Sequence, residues 1–348
     1  MDSGLQSKNL QVESLQWRHL PLLGEPELAS FQNQLQLLAL RDAPEQVLHW
    51  LLPKQPPPPL ALVAREPRGP IRGVLVAVPT NRRGSCWRLD LLHCPGGSAH
   101  SPLAIASQLL KEALERAPGA ISWMARRDTS DEIGLAALRE QGFQPLQHQQ
   151  IWLLKDLSQL EACEAIAEPL ELQRLTGSNG ALLLQLELTA TPSQLRQLQD
   201  LRSEDLLDDA QAGSCLLVDR QRHQAVAGAR LLRRRWGGDT ELELSLHPGW
   251  RQLLGPPLGL LLMQAAAQVL PVRIRCDSRN TQGLAWLEQQ GAETIGEELV
   301  LARSLWRRQE LVQAPGLASR TLERIVGQWQ PGQRPLPEAM RWDCFGNS

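Results

Sequence analysis

The chain states one order of elements twice, and this limits what it can fold into. Residues 102–110 have the composition of a helix start. An apolar strand at 120–125 follows, and then Asp131, with Gly142 and Phe143 eleven positions further on. In the second half, residues 257–263 open a helix and 272–276 read as a strand. Asn280 follows, with Gly291 and Ala292 again eleven positions on. The 348 residues have room for two domains of about 150 residues each.

Around this repeat the first half reads as a strand near 15–20, helices within 27–52, and a stiff proline spacer from Gln55. Strands at 60–65, 73–78 and 87–92 follow, then the helix 102–117, a strand to Arg126, a helix at 131–141 and a strand at 150–154. The second half gives a strand at 170–175, helices at 178–188 and 192–201, and a short helix or loop at 203–212. Strands at 214–218, 225–232 and 241–246 come next, then helix 257–269, strand 272–276, helix 281–290 and strand 298–302. Helices inserted between strands imply an α/β (α+β) layer fold with a mixed sheet and a parallel crossover. The expected boundaries are 1–155, a linker at 156–167, 168–304, and a tail from 305 to 348 with one candidate helix at 318–329.

Composition removes several function classes. Net charge is −2, so no global field favours nucleic acid or an anionic membrane. The arginines at 230–235 lack interleaved aromatics and argue no more strongly for nucleic acid. Eleven tryptophans accompany three phenylalanines and no tyrosine, which excludes any mechanism using a phenol. Cysteines 86, 94, 163, 215, 276 and 344 form no C-x-x-C pair, so zinc and redox motifs are not expected. The N-terminus has no apolar signal core, and no apolar run approaches the ~20 residues that span a bilayer. A reducing, cytoplasmic setting is the expectation, without membrane contact.

One segment can carry chemistry. A strand ends at Leu246-His247, and Leu254-Gly255-Pro256-Pro257-Leu258-Gly259 then enters a helix. A glycine loop at a helix N-terminus offers amides to a pyrophosphate, although two prolines remove two donors. Strand, loop, helix, strand and the Asn280 segment together resemble the GNAT acetyltransferase superfamily. In that family the loop reads Arg/Gln-x-x-Gly-x-Gly/Ala. Here Gly259 matches the last small residue, Pro257 replaces the middle glycine and Leu254 replaces the Arg/Gln, with Arg251 three positions early. The family's second segment falls on Asn280, Gly283 and Gly291, with Leu287 where a tyrosine acid often stands. The first half fits less well: alanines at 104 and 106 stand in the glycine positions, and Leu138 in the tyrosine position.

The resemblance implies two tandem GNAT-like domains, the N-terminal one degenerate. It implies an acyl-CoA-dependent N-acetyltransferase with acetyl-CoA as donor and a small-molecule or peptide amine as acceptor. Leu246, His247, Leu254, Gly255, Leu258, Gly259 and Asn280 would bind the donor. Transfer to an amine needs a base. Glu241, Glu243 and Ser245 share one face of the strand before the loop; Glu243 is the expected base and Glu241 its reserve. The carboxylates of 203–209 are candidates for attracting a cationic amine. Two alternatives stay open: a non-catalytic acyl-CoA-binding or scaffold protein on the same fold, and an enzyme acylating a small thiol precursor or an aminoacyl acceptor. The residues fix neither the acceptor nor the oligomeric state.

Overall fold

The computed structural model describes residues 10–40, 57–67, 69–95, 100–117, 119–232 and 240–304. The expected tail, its candidate helix, Cys344 and the basic turn beyond Leu232 lie outside these residues.

The first half contains β1 (Gln11–Ser14), two short 3-10 segments, β2 (Leu60–Arg65), β3 (Ile71–Pro79) and β4 (Cys86–His93). It continues through α1 (Pro102–Arg116), β5 (Ser122–Asp128), α2 (Glu132–Glu140) and β6 (Gln144–Leu154). The second half contains β7 (Leu170–Arg174), α3 (Gly180–Ala190), α4 (Ser193–Arg196), α5 (Ser203–Asp209), β8 (Cys215–Asp219), β9 (Gln224–Leu231) and β10 (Thr240–Leu246). A 3-10 segment, Pro248–Leu253, leads into α6 (Pro256–Ala266), β11 (Val272–Asp277), α7 (Thr281–Gln289) and β12 (Glu293–Ser304). No described helix is long and apolar enough to cross a membrane.

The expected first strand differs. Residues 17–24 form a 3-10 helix whose start is fixed by the His19 ring, and β1 lies earlier, paired with β2. The expected helix at 192–201 is only the single turn α4, because it ends early where Leu198–Asp200 turn to meet the first half.

The twice-stated motif is a pair of helix stops. Asp131 Oδ1 accepts from Gly134 N–H at 2.8 Å, and Asn280 Oδ1 from Gly283 N–H at 3.0 Å, so each residue caps its helix. A Cβ on either glycine would collide with the capping side chain. Gly142 and Gly291, at φ 80° and 76°, end the same helices in the left-handed region that only glycine enters freely.

All twelve strands form one sheet, in the order β1-β2-β3-β4-β5-β12-β6-β11-β10-β9-β8-β7. The halves exchange their last strands. β12 pairs with β5 of the first half, and β6 pairs with β11 of the second. The two exchanged strands pair with each other along nearly their whole length. Both are longer than their apolar cores suggest, because the mostly polar stretches 144–149 and 293–297 find partners on the opposing strand. Helices cover both faces. α1 and α2 close one apolar cluster in the first half, and α6 and α7 close its counterpart in the second. Smaller clusters under 15–39 and under α3 close the other face.

A side-chain seam also joins the halves. Arg82 Nε binds Asp208 Oδ2 at 2.6 Å, and the Arg82 amide binds Asp205 Oδ1 at 2.7 Å. Asn81 Nδ2 donates to the Asp200 carbonyl, and Ser122 Oγ to that of Leu198. Two of the α5 carboxylates therefore hold the first half, which is a structural use of a segment considered above for amine attraction.

Candidate active site

β10 and β11 run parallel only while Thr240–Leu242 faces Val272–Ile274, and then they part. The opening between them is a cleft of about 270 Å³. The Leu232 amide donates to the Glu241 carbonyl, and the His247 amide to Val226. Odd-numbered residues of β10 therefore direct their backbone toward β9. By alternation, the amides of Leu244 and Leu246 point toward β11, where the pairing has already ended.

The sequence candidates divide accordingly. Leu246, Leu254, Leu258 and Asn280 line the cleft, as do Glu241 and Glu243. His247 does not contribute as expected: its amide is spent on Val226, and its Nδ1 accepts from Gly249 N–H at 3.1 Å, which makes it a turn residue. Gly255 is the N-cap of α6 and lies outside the cleft lining. Gly259 packs against the linker, where a Cβ would strike the Glu161 carbonyl, so a close backbone approach explains this glycine without a phosphate. The Cys163 amide reaches the Pro256 carbonyl at 3.3 Å, and the Glu161 amide reaches Gln290 Oε1 at 2.8 Å, pinning the linker along α6 and α7.

Both expected bases are engaged. Glu243 forms an ion pair with Arg230. Burial pushes the Glu243 carboxyl up, but the Arg230 and Arg126 guanidiniums outweigh burial and hold it below its ordinary range. Glu241 is bound by Arg275 at 2.6 Å. Burial raises this carboxyl too, and Arg275 again more than offsets it. Arg275 also donates from Nε to Glu298 Oε1 at 2.5 Å, so three strands share one charge chain. A carboxylate held in this way is a weak proton acceptor.

Glu187, on α3, differs. Burial, and then the negative charge of Glu243, push its carboxyl up to about 7. Ser245 Oγ donates to its Oε1 at 2.7 Å, and both residues line the cleft. The only local sequence signal for it is one acidic residue in the leucine-rich helix Gly180–Ala190, which is ordinary for an exposed helix face.

Leu287 is 2% exposed and lines the cleft. Beside it the Trp286 indole Nε1 is buried without a partner. In the first half, the corresponding helix α1 is capped by its own Ser101 hydroxyl, which accepts from Ala104 N–H at 3.2 Å. Arg127, three-quarters or more buried, lies beyond the parting of β4 and β5, with its Nη1 3.8 Å from Asp131.

No protein-family model matches the chain, and no curated protein matches it in sequence. Solved structures do match in fold. A tandem GNAT protein from the clavulanic acid biosynthesis pathway, determined without AcCoA, aligns at TM-score 0.50 and 14% identity. The alignment covers 85% of this chain and 98% of that one. A GCN5-related glucosamine N-acetyltransferase region of a fungal multi-domain GH3 β-N-acetylglucosaminidase aligns at TM-score 0.53 and 15% identity. It covers 87% of this chain and 39% of that one. The fold is that of a tandem GNAT protein, and at these identities the likeness is one of fold.

The inner cleft offers donors, because the Leu244 and Leu246 amides point past the end of the β10–β11 pairing. The outer end is poorer in donors. Pro256 and Pro257 occupy the first two positions of α6, and the Gly259 amide bonds back to Gly255. The two prolines leave that turn two fewer amides to offer a pyrophosphate.

Proposed function

We propose that the protein is an acyl-CoA-dependent N-acyltransferase that takes acetyl-CoA as donor and a small amine as acceptor. The reaction sits in the β10–β11 cleft of the second half, with Glu187 as the base. The observation that carries this is a carboxyl poised at about 7 and bonded to Ser245, in the cleft faced by the free Leu244 and Leu246 amides. A base titrating near neutral pH combines useful ionisation with useful basicity.

Glu187 takes one proton from the acceptor ammonium. The Leu244 amide polarises the thioester carbonyl. A bond forms between nitrogen and the acyl carbon, the carbon–sulfur bond breaks, the sulfur leaves as thiolate, and the second nitrogen proton passes to solvent. Trp286 can donate a hydrogen bond from Nε1 but not a proton, so the departing thiolate is protonated by solvent. Glu241 and Glu243 keep the arginine chain neutral and hold the floor of the cleft.

The test is thiol release from acetyl-CoA with a panel of small amines, across about pH 5.5–9. The wild-type kcat should rise through about pH 7. Glu187→Gln should lower kcat by about 10²-fold or more while acetyl-CoA binding persists. Leu287 and the two prolines favour a second reading, a non-catalytic acyl-CoA-binding module. Binding of acetyl-CoA with no transfer to any amine would select it.

A further inference from the structure

The floor of the cleft contains a cation that is only weakly paired among the described residues. Arg126 belongs to β5 of the first half and reaches the second half's cleft because β12 is inserted beside it. Arg126 faces Val300 across β5–β12, and Val300 faces Gln147 across β12–β6; all three line the cleft. The Arg126 side chain is 24% exposed, and its Nε is buried without a hydrogen-bond partner. The nearest carboxylate, Glu298, stands 3.9 Å away and is already bonded to Arg275 Nε at 2.5 Å. Glu241 is also held by Arg275, and Glu243 by Arg230.

Glu298, Glu241 and Glu243 are thus each bound more closely by another arginine. Burial, and after it the neighbouring Arg275 charge, work against the Arg126 cation. A guanidinium does not respond by releasing its proton. Keeping such a group largely desolvated with its Nε unpartnered is unfavourable. Beside it, Gln149 donates to Gln147 Oε1 at 3.1 Å and leaves its own Oε1 buried without a partner. An arginine fork matches a carboxylate or phosphate better than any other small group.

We propose that the acceptor is an amine that also carries an oxyanion, a carboxylate or a phosphate, and that Arg126 binds this oxyanion. The proposal names the substrate class of the cleft and so rests on the acyltransferase reading. It also gives the degenerate half a direct role, since Arg126 comes from its strand.

The experiment is calorimetric binding to the full chain, with and without CoA, using matched pairs: an amino acid against its carboxamide, and an aminoalkyl phosphate against the amino alcohol. At least one anionic member should bind about tenfold or more tighter than its neutral partner. Which pair shows the preference tells carboxylate from phosphate. Arg126→Gln should abolish the preference, and Arg126→Lys should restore part of it. The wild-type comparison stands even where a variant folds poorly. Equal binding within both pairs, no binding by any anionic member, or an undiminished preference in a folded Arg126→Gln protein overturns the proposal. In turnover, the loss should appear in KM for the anionic amine rather than in kcat. Preferential binding without acetyl transfer would defeat the acyltransferase reading and leave the oxyanion site standing.

Discussion

Glu187 and Glu243 repel one another across the cleft, yet their environments push them apart. Glu243 has Arg230 and is held low; Glu187 is bonded to the neutral Ser245 hydroxyl and is pushed up to about 7. The sign of the resulting pH effect on stability follows. A folded-state value raised above the ordinary 4.5 means that the folded protein binds more protons than the unfolded chain between 4.5 and about 7. This contribution to stability is complete below 4.5 and is lost as pH rises through about 7. Glu187→Gln should therefore flatten the fall in stability across that window, as read by chemical denaturation at several pH values. Glu243→Ala should act differently, because it strands Arg230, whose side chain is only 9% exposed. We expect a cost of about 2 kcal/mol, less than for a fully buried pair because Glu243 itself is 36% exposed. A Glu243→Ala protein with unchanged denaturation midpoint would contradict this.

At the scale of elements, the legible motifs proved to be about backbone geometry. Asn280 with Gly283, and Asp131 with Gly134, are helix caps, and Gly259 makes room for the linker carbonyl. Gly259→Ala should cost about 1–3 kcal/mol by forcing the linker off α6, seen as a lower thermal midpoint. The prolines at the start of α6 carry a second expectation. With few amides left for a pyrophosphate, S-acetyl-pantetheine should serve as donor within about tenfold of acetyl-CoA in kcat/KM, a difference of ~1.4 kcal/mol. Strands and helices with clear periodicity, from β2 to α2 and from β8 to α7, stand within a few residues of their expected places. Residues 144–149 do not read as a strand, because they are mostly polar, carry Pro145 and show no apolar alternation. Their pairing comes from β12, which lies about 150 positions away in sequence.

For the whole molecule, the exchanged strands decide how the chain behaves. Removing β12 would leave β5 and β6 each with an open edge, and removing β6 would do the same to β11 and β12. We therefore expect residues 1–155 alone to fail to fold, and residues 156–348 alone to fail as well. Mixing or co-expressing the two should restore a soluble heterodimer. Circular dichroism and size-exclusion chromatography would check this, and two independently folded, monomeric fragments would refute it.

The sequence by itself determined the doubling, the order of elements, the helix caps and the place where β10 meets a glycine loop. Local periodicity and turn chemistry fix all of these within short windows. It also placed Glu241 and Glu243 on the working face of β10. Only the tertiary structure decided that both carboxylates are held by arginines, because Arg230 and Arg275 come from neighbouring strands. Only it decided that Arg126, from the other half of the chain, faces the same cleft. Burial and charge at a point depend on everything packed there, and the exchanged strands bring together residues that no sequence window contains.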